Sequence, residues 1–140
     1  MHLSTKGRYG IRALIDLGLR SKKTPLKDIA KDQDISVGYL EQVFSLLKKA
    51  GIVKSSKGAG GGYQLAKEPK TLSLYDILSA LEGDLDYQKG DQAKTKMDRF
   101  LQNDVWQPLD QVVKNHLDQR SLGDLIDAYQ KENDHLMYYI

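Results

Sequence analysis

A glycine-rich segment at residues 55–65 constrains the fold of this chain more than any other stretch. Four of the five residues from 58 to 62 are glycine, and short apolar arms flank them, with Ile52 and Val53 before and Leu65 after. A glycine run loses much conformational entropy on folding. One held between ordered arms is therefore usually a tight hairpin, a phosphate-binding loop or a loop laid against a polyanion.

The spacing of these glycines does not fit a nucleotide-binding loop. A dinucleotide fingerprint needs G-x-G-x-x-G at the start of a helix, and a P-loop needs G-x-x-x-x-G-K-[ST]. Counted from Gly58, the sixth position is Tyr63, and no Gly-Lys-Ser or Gly-Lys-Thr follows. We interpret the segment as the tip of a basic β-hairpin, and the lysines near it in sequence are Lys54, Lys57, Lys67 and Lys70.

The two halves of the chain carry opposite charge. Residues 1–70 hold 14 Lys and Arg against 6 Asp and Glu, whereas residues 71–140 hold 7 against 13. A basic half beside an acidic half is typical of nucleic-acid binding, and it is also compatible with an anionic membrane surface. No apolar run approaches the ~20 residues of a transmembrane helix. We expect no membrane segment, no signal peptide and a cytoplasmic location.

The composition argues against a bound cofactor and against an enzyme. The 140 residues include no cysteine, which excludes disulfides, thiolate catalysis and cysteine-ligated metal clusters. His2, His116 and His135 lack ligand spacing. No histidine is placed to activate a serine, and no paired carboxylates are apparent, so we expect neither a metal, a cofactor nor an enzyme.

Three helices are predicted before the hairpin. Ser4 or Thr5 caps the first, Thr24 caps the second with Pro25 at its first position, and Ser36 caps the third, which runs from about Val37 to Ala50. In the third helix, the spacing turns one set of residues inward: Val37, Leu40, Phe44 and Leu47. It turns another set outward: Gly38, Glu41, Gln42, Ser45, Lys48 and Lys49.

The outward face has two interpretations. Any amphipathic helix has a solvated polar face, and a protein-interaction scaffold would also present one. Glutamate and glutamine side chains also suit base edges, and lysines suit phosphates. Because Gly51 ends the helix and the basic hairpin follows, we favour a winged helix-turn-helix that binds DNA.

The remainder of the chain is predicted to be helical. A helix runs from Ser73 to Gly83, residues 84–93 form a linker, and a long apolar-striped helix covers Lys94–Leu117. Pro108 either bends that helix or divides it in two. A short helix starts at Ser121. The predicted organisation is a winged domain (1–83), a linker (84–93) and a dimerisation helix with a C-terminal segment (94–140), mainly α with a small β-hairpin wing.

Several short segments resemble the Rrf-type bacterial transcription regulators. They are residues 4–9 (Ser-Thr-Lys-Gly-Arg-Tyr), 26–30 (Leu-Lys-Asp-Ile-Ala), 39–42 (Tyr-Leu-Glu-Gln), 49–53 (Lys-Ala-Gly-Ile-Val), 58–63, 76–83 and 121–125. The resemblance implies a homodimer on a pseudo-palindromic operator, with the recognition helix in the major groove and the wing in the minor groove. It also implies these DNA-binding residues: Tyr9, Lys27, Ser36, Gly38, Tyr39, Glu41, Gln42, Ser45, Lys48, Lys57, Gly58 and Gly60.

Two positions depart from the family pattern. Glu41 matches the family's base-reading glutamate. Lys57, however, stands where many members have arginine, so a planar guanidinium is replaced by the point charge of an ammonium group. Gly38 stands where members often carry a side chain. One contact is therefore expected to be missing.

The resemblance also implies a branch of the family. Cluster-binding members carry three cysteines shortly after the segment that here is Leu81-Glu82-Gly83, and this chain has none. It resembles the cluster-free repressors of cysteine metabolism of the CymR type, whose partner is O-acetylserine sulfhydrylase. The tail residues Tyr138, Tyr139 and Ile140 then either bind that enzyme through the terminal carboxylate or pack on their own dimer.

Overall fold

The computed structural model describes residues 3–86 and 93–138, the last two by backbone alone. Its α-helices are α1 Thr5–Arg20, α2 Leu26–Gln33, α3 Val37–Lys49, α4 Leu74–Glu82, α5 Lys96–Leu101, α6 Gln107–Asp118 and α7 Leu122–Tyr138. An antiparallel pair of strands, β1 Val53–Ser56 and β2 Gly62–Leu65, follows α3, and a 3-10 turn at Pro69–Thr71 follows β2. The mainly helical fold with a small hairpin is confirmed.

Serine side chains begin three of the helices, as their positions predicted. Ser4, Ser36 and Ser73 each accept a hydrogen bond from a backbone N–H in the first turn of α1, α3 and α4 respectively. These bonds satisfy donors that have no partner inside the helix. The start of each helix is therefore fixed by a local side chain.

The prediction that Thr24 caps α2 is wrong. Pro25 occupies the cap position without a side-chain bond, and the Thr24 hydroxyl donates to the Lys22 carbonyl at 3.0 Å. The Thr24 backbone instead pairs with that of Tyr63 in β2, with two N–H to carbonyl distances of 2.9 Å. This long-range pairing fixes the chain just before α2 against the hairpin, and it leaves Thr24 only 1% exposed.

One hydrophobic core joins α1, α2, α3, α4, β1 and the start of α7. Its fully buried large side chains include Leu14, Leu17, Ile29, Leu40, Phe44, Leu47, Ile77 and Leu122. Gly10 lets α4 approach α1 closely, since a Cβ at this position would lie 2.4 Å from Leu81 Cδ1. Burial of apolar surface at about 25 cal/mol per Å² makes this core the main source of stability.

The first two turns of α7 complete the core of the winged domain. Leu122 and Ile126 are buried, the Leu122 N–H donates to the Leu72 carbonyl at 2.8 Å, and the Leu74 N–H donates to the Arg120 carbonyl at 2.8 Å. Leu85 is also buried, although it lies in the predicted linker, of which residues 87–92 fall outside the described ranges. The predicted domain boundaries stay a prediction.

The prediction of a short helix after Ser121 is wrong in length. α7 spans 17 residues, Leu122–Tyr138, and its side chains from position 127 to 136 are all exposed. Because that part buries no stripe, apolar periodicity could not reveal it. It contains neither glycine nor proline and consists largely of residues compatible with a helix.

The chain stays helical through Pro108, with a π-helical turn just before the proline. Residues Gln102–Trp106 form this turn between α5 and α6, and the Gln107 N–H donates to the Gln102 carbonyl. Pro108 then falls in the first turn of α6, where a missing N–H costs nothing. The wider turn lets the helix continue past the proline ring.

The helix after this turn turns its polar side chains toward α4. α6 packs on α4, and the side chains that line the space between them are polar: Gln107, Asp110, Gln111 and Lys114. The apolar side chains lie on the opposite side and are exposed, with Val105 at 39%, Leu109 at 38% and Val112 at 66%. The apolar stripe therefore faces solvent in the single chain, as expected of a stripe that has no partner within the chain.

Candidate nucleic-acid interface

The outward face of α3 is the central element of the interface. Leu40, Val43, Phe44 and Leu47 are completely buried and fix the rotation of the helix. The predicted reading residues are exposed as a result: Gly38, Glu41, Gln42, Ser45 and Lys48, with Ser36 at the helix start. Because the helix exposes a polar face without obstruction, its side chains can reach the base edges of a major groove.

The prediction that Val37 points inward is wrong. Its side chain is 41% exposed, whereas Leu40 one turn later is completely buried. Val37 is the first residue of α3. Helical side chains point back toward the N-terminus, so a residue in the first position reaches past the core.

The hairpin has the conformation expected of a wing. β1 and β2 pair from Val53 opposite Leu65 to Ser56 opposite Gly62. Gly58 and Gly60 adopt φ values of 93° and 79°, which favour glycine, and the Gly61 N–H closes the tip on the Gly58 carbonyl at 2.9 Å. Lys57, Gly58 and Gly60 are all exposed at the tip.

The wing is held against the recognition helix. The Tyr63 ring meets the Phe44 ring edge to face, with centroids 5.0 Å apart. Gly62 lets the hairpin approach the loop before α2, because a Cβ there would lie 2.6 Å from the Thr24 carbonyl oxygen. The exposed face of α3 and the wing therefore form one preorganised surface.

An aromatic cluster connects the start of α1 with the start of α3. The Tyr9 and Tyr39 rings meet edge to face at 5.9 Å, and the Tyr39 hydroxyl lies 2.7 Å from the Thr5 hydroxyl. The Arg12 guanidinium lies 5.3 Å from the centroid of the Tyr9 ring. The structure thus brings the predicted residues Tyr9 and Tyr39 together, and it adds Thr5 and Arg12.

Polar contacts continue along α1 and hold α2 in place. Arg12 donates to the Gln33 carbonyl at 2.5 Å, and Gln33 Nε2 donates to Asp16 Oδ2 at 2.9 Å. Arg20 bonds Asp16 at 2.5 Å and also pairs with Asp32. The Asp16 bond raises the pKa of Arg20, so these links keep the helix-turn-helix rigid while the guanidinium stays charged.

The basic side chains differ in availability. Lys27, Lys48 and Lys57 are exposed. Lys70, by contrast, pairs with Asp127 at 2.8 Å and with Asp124 at 2.9 Å, and these carboxylates raise its pKa. Its positive charge is largely compensated, so Lys70 contributes less to the basic surface than its position beside the hairpin indicated.

Glu82 anchors the N-terminus of α1, and sequence reasoning missed it. Its Oε1 accepts from the Ser4 N–H at 2.9 Å, the Ser4 hydroxyl at 2.8 Å and the Gly7 N–H at 2.8 Å. Glu82 and Ser4 are separated by 78 positions, so no local pattern could reveal the contact. The carboxylate suits the positive end of the helix dipole and ties α4 to α1.

The residues of this chain do not fit a thiolate-held metal cluster. The sequence contains no cysteine. Within the described residues, no group of three or more His, Cys, Asp or Glu side chains is placed to hold a metal ion. In the same part of the chain, no helix combines the length and apolar character needed to cross a bilayer.

The predicted partner-binding tail is described only in part. Tyr138 ends α7, and its backbone alone is described. Tyr139 and Ile140 lie outside the described residues. The role assigned to these three residues stays a prediction.

The sequence matches that of known transcription regulators. Residues 3–128 match the Rrf2 family, described as iron-dependent transcriptional regulators. The HTH-type transcriptional regulator IscR of Vibrio vulnificus is 40% identical over 133 residues, which cover 90% of this chain and 77% of the relative. The IscR of Aliivibrio salmonicida is 38% identical over 130 residues, with coverage of 90% and 77%.

Solved structures give the same result. CymR, the global cysteine regulator of B. subtilis, has a TM-score of 0.79 and 37% identity, covering 91% of this chain and 98% of that protein. IscR of T. potens has a TM-score of 0.76 and 36% identity, covering 94% and 90%. These relatives are regulators and not enzymes, as predicted. The chain belongs to the Rrf2 family of winged-helix transcription regulators.

Proposed function

We propose that this protein is a sequence-specific DNA-binding repressor whose α3 reads the major groove and whose wing contacts the minor groove. One observation carries the proposal: the exposed polar face of α3 is held rigidly beside the lysine-bearing wing through the Phe44–Tyr63 contact. The net positive charge of residues 1–70 supports attraction to a phosphate backbone.

Within this interface the roles differ. Glu41 accepts from a cytosine amino group, and Gln42 and Ser45 contact neighbouring base edges. Lys27 and Lys48 contact phosphates, and Tyr9 and Tyr39 position the helix on the backbone. Lys57 places a charge in the minor groove, while Gly58 and Gly60 allow the tip to lie close to the sugar wall.

The experiment compares two single variants on a panel of operator sequences at several salt concentrations. Glu41→Ala should lose about 1–3 kcal/mol of discrimination at one base pair and leave the others unchanged. Lys57→Ala should weaken binding to all sequences and reduce the salt slope by about one unit. Identical base preferences for Glu41→Ala and the wild type would refute the role of Glu41.

We propose further that the protein works as a homodimer. The surface that pairs is the exposed apolar face of the helix from Val105 to Val112, which we call the apolar arm. Val105, Trp106, Leu109 and Val112 form an exposed apolar face on the side of the helix away from α4. A second copy is the natural occupant of such a face, because twofold pairing covers both copies at once. The two recognition helices would then contact half-sites about one helical turn apart or a multiple of it.

We propose genes of cysteine and sulfur metabolism as the regulon. The similarity to CymR and the lack of cysteine in this chain support it, whereas the IscR relatives leave a different regulon of the same family as the alternative. O-acetylserine sulfhydrylase is the proposed partner, bound through Tyr138, Tyr139 and the Ile140 carboxylate. Complex formation by a variant that lacks residues 139 and 140 would refute capture of the tail.

A winged-helix scaffold is the alternative from a different class. Its basic surface would dock on an acidic protein, so its binding would not depend on base sequence. The salt slope alone does not separate the two functions, but the base preference of the wild type does.

A further inference from the structure

A polar groove lies between α4 and α6, and its lining includes none of the proposed DNA-contacting residues. Its volume is about 320 Å³, at the lower end of the range for small-molecule sites. The walls include Tyr75 from α4, Asp86 just after α4, and Gln107, Asp110, Gln111 and Lys114 from α6. We call this space the α4–α6 groove.

The groove carries both signs of charge. The Lys114 ammonium lies 5.3 Å from the centroid of the Tyr75 ring, so the cation is held at one wall. Asp86 and Asp110 supply carboxylates to the same space. A wall with both charges suits a dipolar ligand, because an anion or a cation alone would meet groups of its own sign.

The remaining wall groups specify the ligand more closely. The Gln107 amide can both donate and accept hydrogen bonds, whereas the Gln111 amide donates to Asn115 Oδ1 at 2.8 Å and can accept through its carbonyl oxygen. They suit a short side chain that does the same, such as a hydroxyl or an amide. We propose that the α4–α6 groove binds a free α-amino acid with a short polar side chain, with its carboxylate on Lys114 and its ammonium on Asp86.

The position of the groove gives the ligand a means to act on DNA binding. α4 packs on α1 and α3, so it belongs to the rigid unit that presents the interface, whereas α6 carries the exposed apolar arm. A ligand that contacts both helices favours one orientation of the arm relative to the reading surface. This regulatory effect rests on the proposed function, but the binding itself does not.

Calorimetry on the full chain without DNA tests the binding, with L-serine, L-asparagine and L-glutamine as probes. At least one should bind with a dissociation constant of about 1 mM or tighter. Its amide, which lacks the carboxylate charge, and its N-acetyl derivative, which lacks the ammonium charge, should each bind at least about tenfold more weakly. Failure of all three amino acids to bind would overturn the proposal.

A variant identifies the group that meets the carboxylate. Lys114→Met should bind the amino acid and its amide equally, because the ammonium that meets the carboxylate of the ligand has been removed. Lys131→Met, an exposed change on α7, is the matched control and should keep the discrimination. If Lys114 only stabilises the packing of α6 on α4, Lys114→Met should keep the tenfold preference for the amino acid over its amide. That result would also overturn the proposal.

A separate measurement then adds operator DNA with and without the amino acid. If the amino acid binds but the operator affinity does not change, the regulatory effect is refuted and the binding site stands. Loss of specific DNA binding under all conditions would instead refute the proposed function, so the two failures are distinguishable.

Discussion

The hydroxyl of Tyr39, in the recognition helix, lies 2.7 Å from the hydroxyl of Thr5, at the start of α1. The same tyrosine packs edge to face on Tyr9, over which Arg12 is placed. The first turn of α3 is thus held by residues that lie about thirty positions earlier in the chain. We expect the effect of Thr5 and Arg12 on DNA binding to be indirect, through the position of Tyr39.

Removal of the Thr5 hydroxyl should weaken operator binding more than it weakens the fold. The hydrogen bond is exposed, and such a bond contributes about 0.5–1.5 kcal/mol. We expect Thr5→Val to reduce operator affinity by up to about tenfold, measured by fluorescence anisotropy. Thr71→Val, which removes a hydroxyl bond to the Glu68 carbonyl away from the interface, is the control. Equal losses of affinity in both variants would contradict the positioning role of Thr5.

Two helical glycines should respond oppositely to alanine. A Cβ at Gly38 meets nothing within 4 Å, so Gly38→Ala should stabilise the protein by about 0.5–1 kcal/mol through helix propensity. A Cβ at Gly10 would lie 2.4 Å from Leu81, so Gly10→Ala should destabilise it by about 1–3 kcal/mol through overpacking. Urea denaturation measures both. A stabilised Gly10→Ala variant would show that α1 and α4 do not pack as closely as described.

The sequence revealed the interface better than it revealed what holds the interface together. Buried positions such as Leu40 and Phe44 recur with helical spacing, so the outward face with Glu41 followed directly. The bridge from Thr24 to Tyr63 and the bond from Glu82 to Ser4 join distant parts of the chain. Such pairings leave no periodic signal, which is why Thr24 was assigned to the wrong role.

Helix ends and exposed helices limited the prediction in another way. A core-facing stripe predicts a helix only as far as it is buried, so the exposed part of α7 was missed. The stripe of α6 was predicted correctly, but its direction depends on how α6 meets α4. At this junction the Lys114 ammonium lies 5.3 Å from the centroid of the Tyr75 ring, a contact between helices that helical periodicity does not reveal.

Acid should weaken the attachment of α7. The bond from Lys70, together with bonds from Ser121, lowers the pKa of Asp124 from 3.8 to about 2. A carboxyl whose pKa is lower in the folded state stabilises the protein fully above its unfolded pKa, and this stabilisation is lost as the pH falls toward the folded pKa.

Asp124→Asn should therefore be less stable than the wild type at neutral pH, and the gap should close as the pH falls from about 4 to about 2. Chemical denaturation across this range measures the gap, with Asp118→Asn as the matched control. A gap that stays constant with pH would contradict a charge-dependent role of Asp124.

A charge on the apolar arm should separate the dimer. Val112 is 66% exposed in the single chain, on the side away from α4, and burial of an unpaired carboxylate in an apolar interface is strongly unfavourable. We expect Val112→Glu to sediment as a monomer with an unchanged circular dichroism spectrum. Gln111→Glu, on the groove side of the same helix, should remain dimeric. A dimeric Val112→Glu variant would place the interface elsewhere.

The central claim is that the rigid unit of α3 and the wing reads a DNA sequence. Its most direct test is the affinity of the wild-type protein for DNA from its own promoter region and for shuffled DNA of the same composition, both at physiological salt. We predict a preference of about 10³-fold or more for the promoter DNA. Equal affinities would contradict sequence-specific binding and leave the scaffold function in its place.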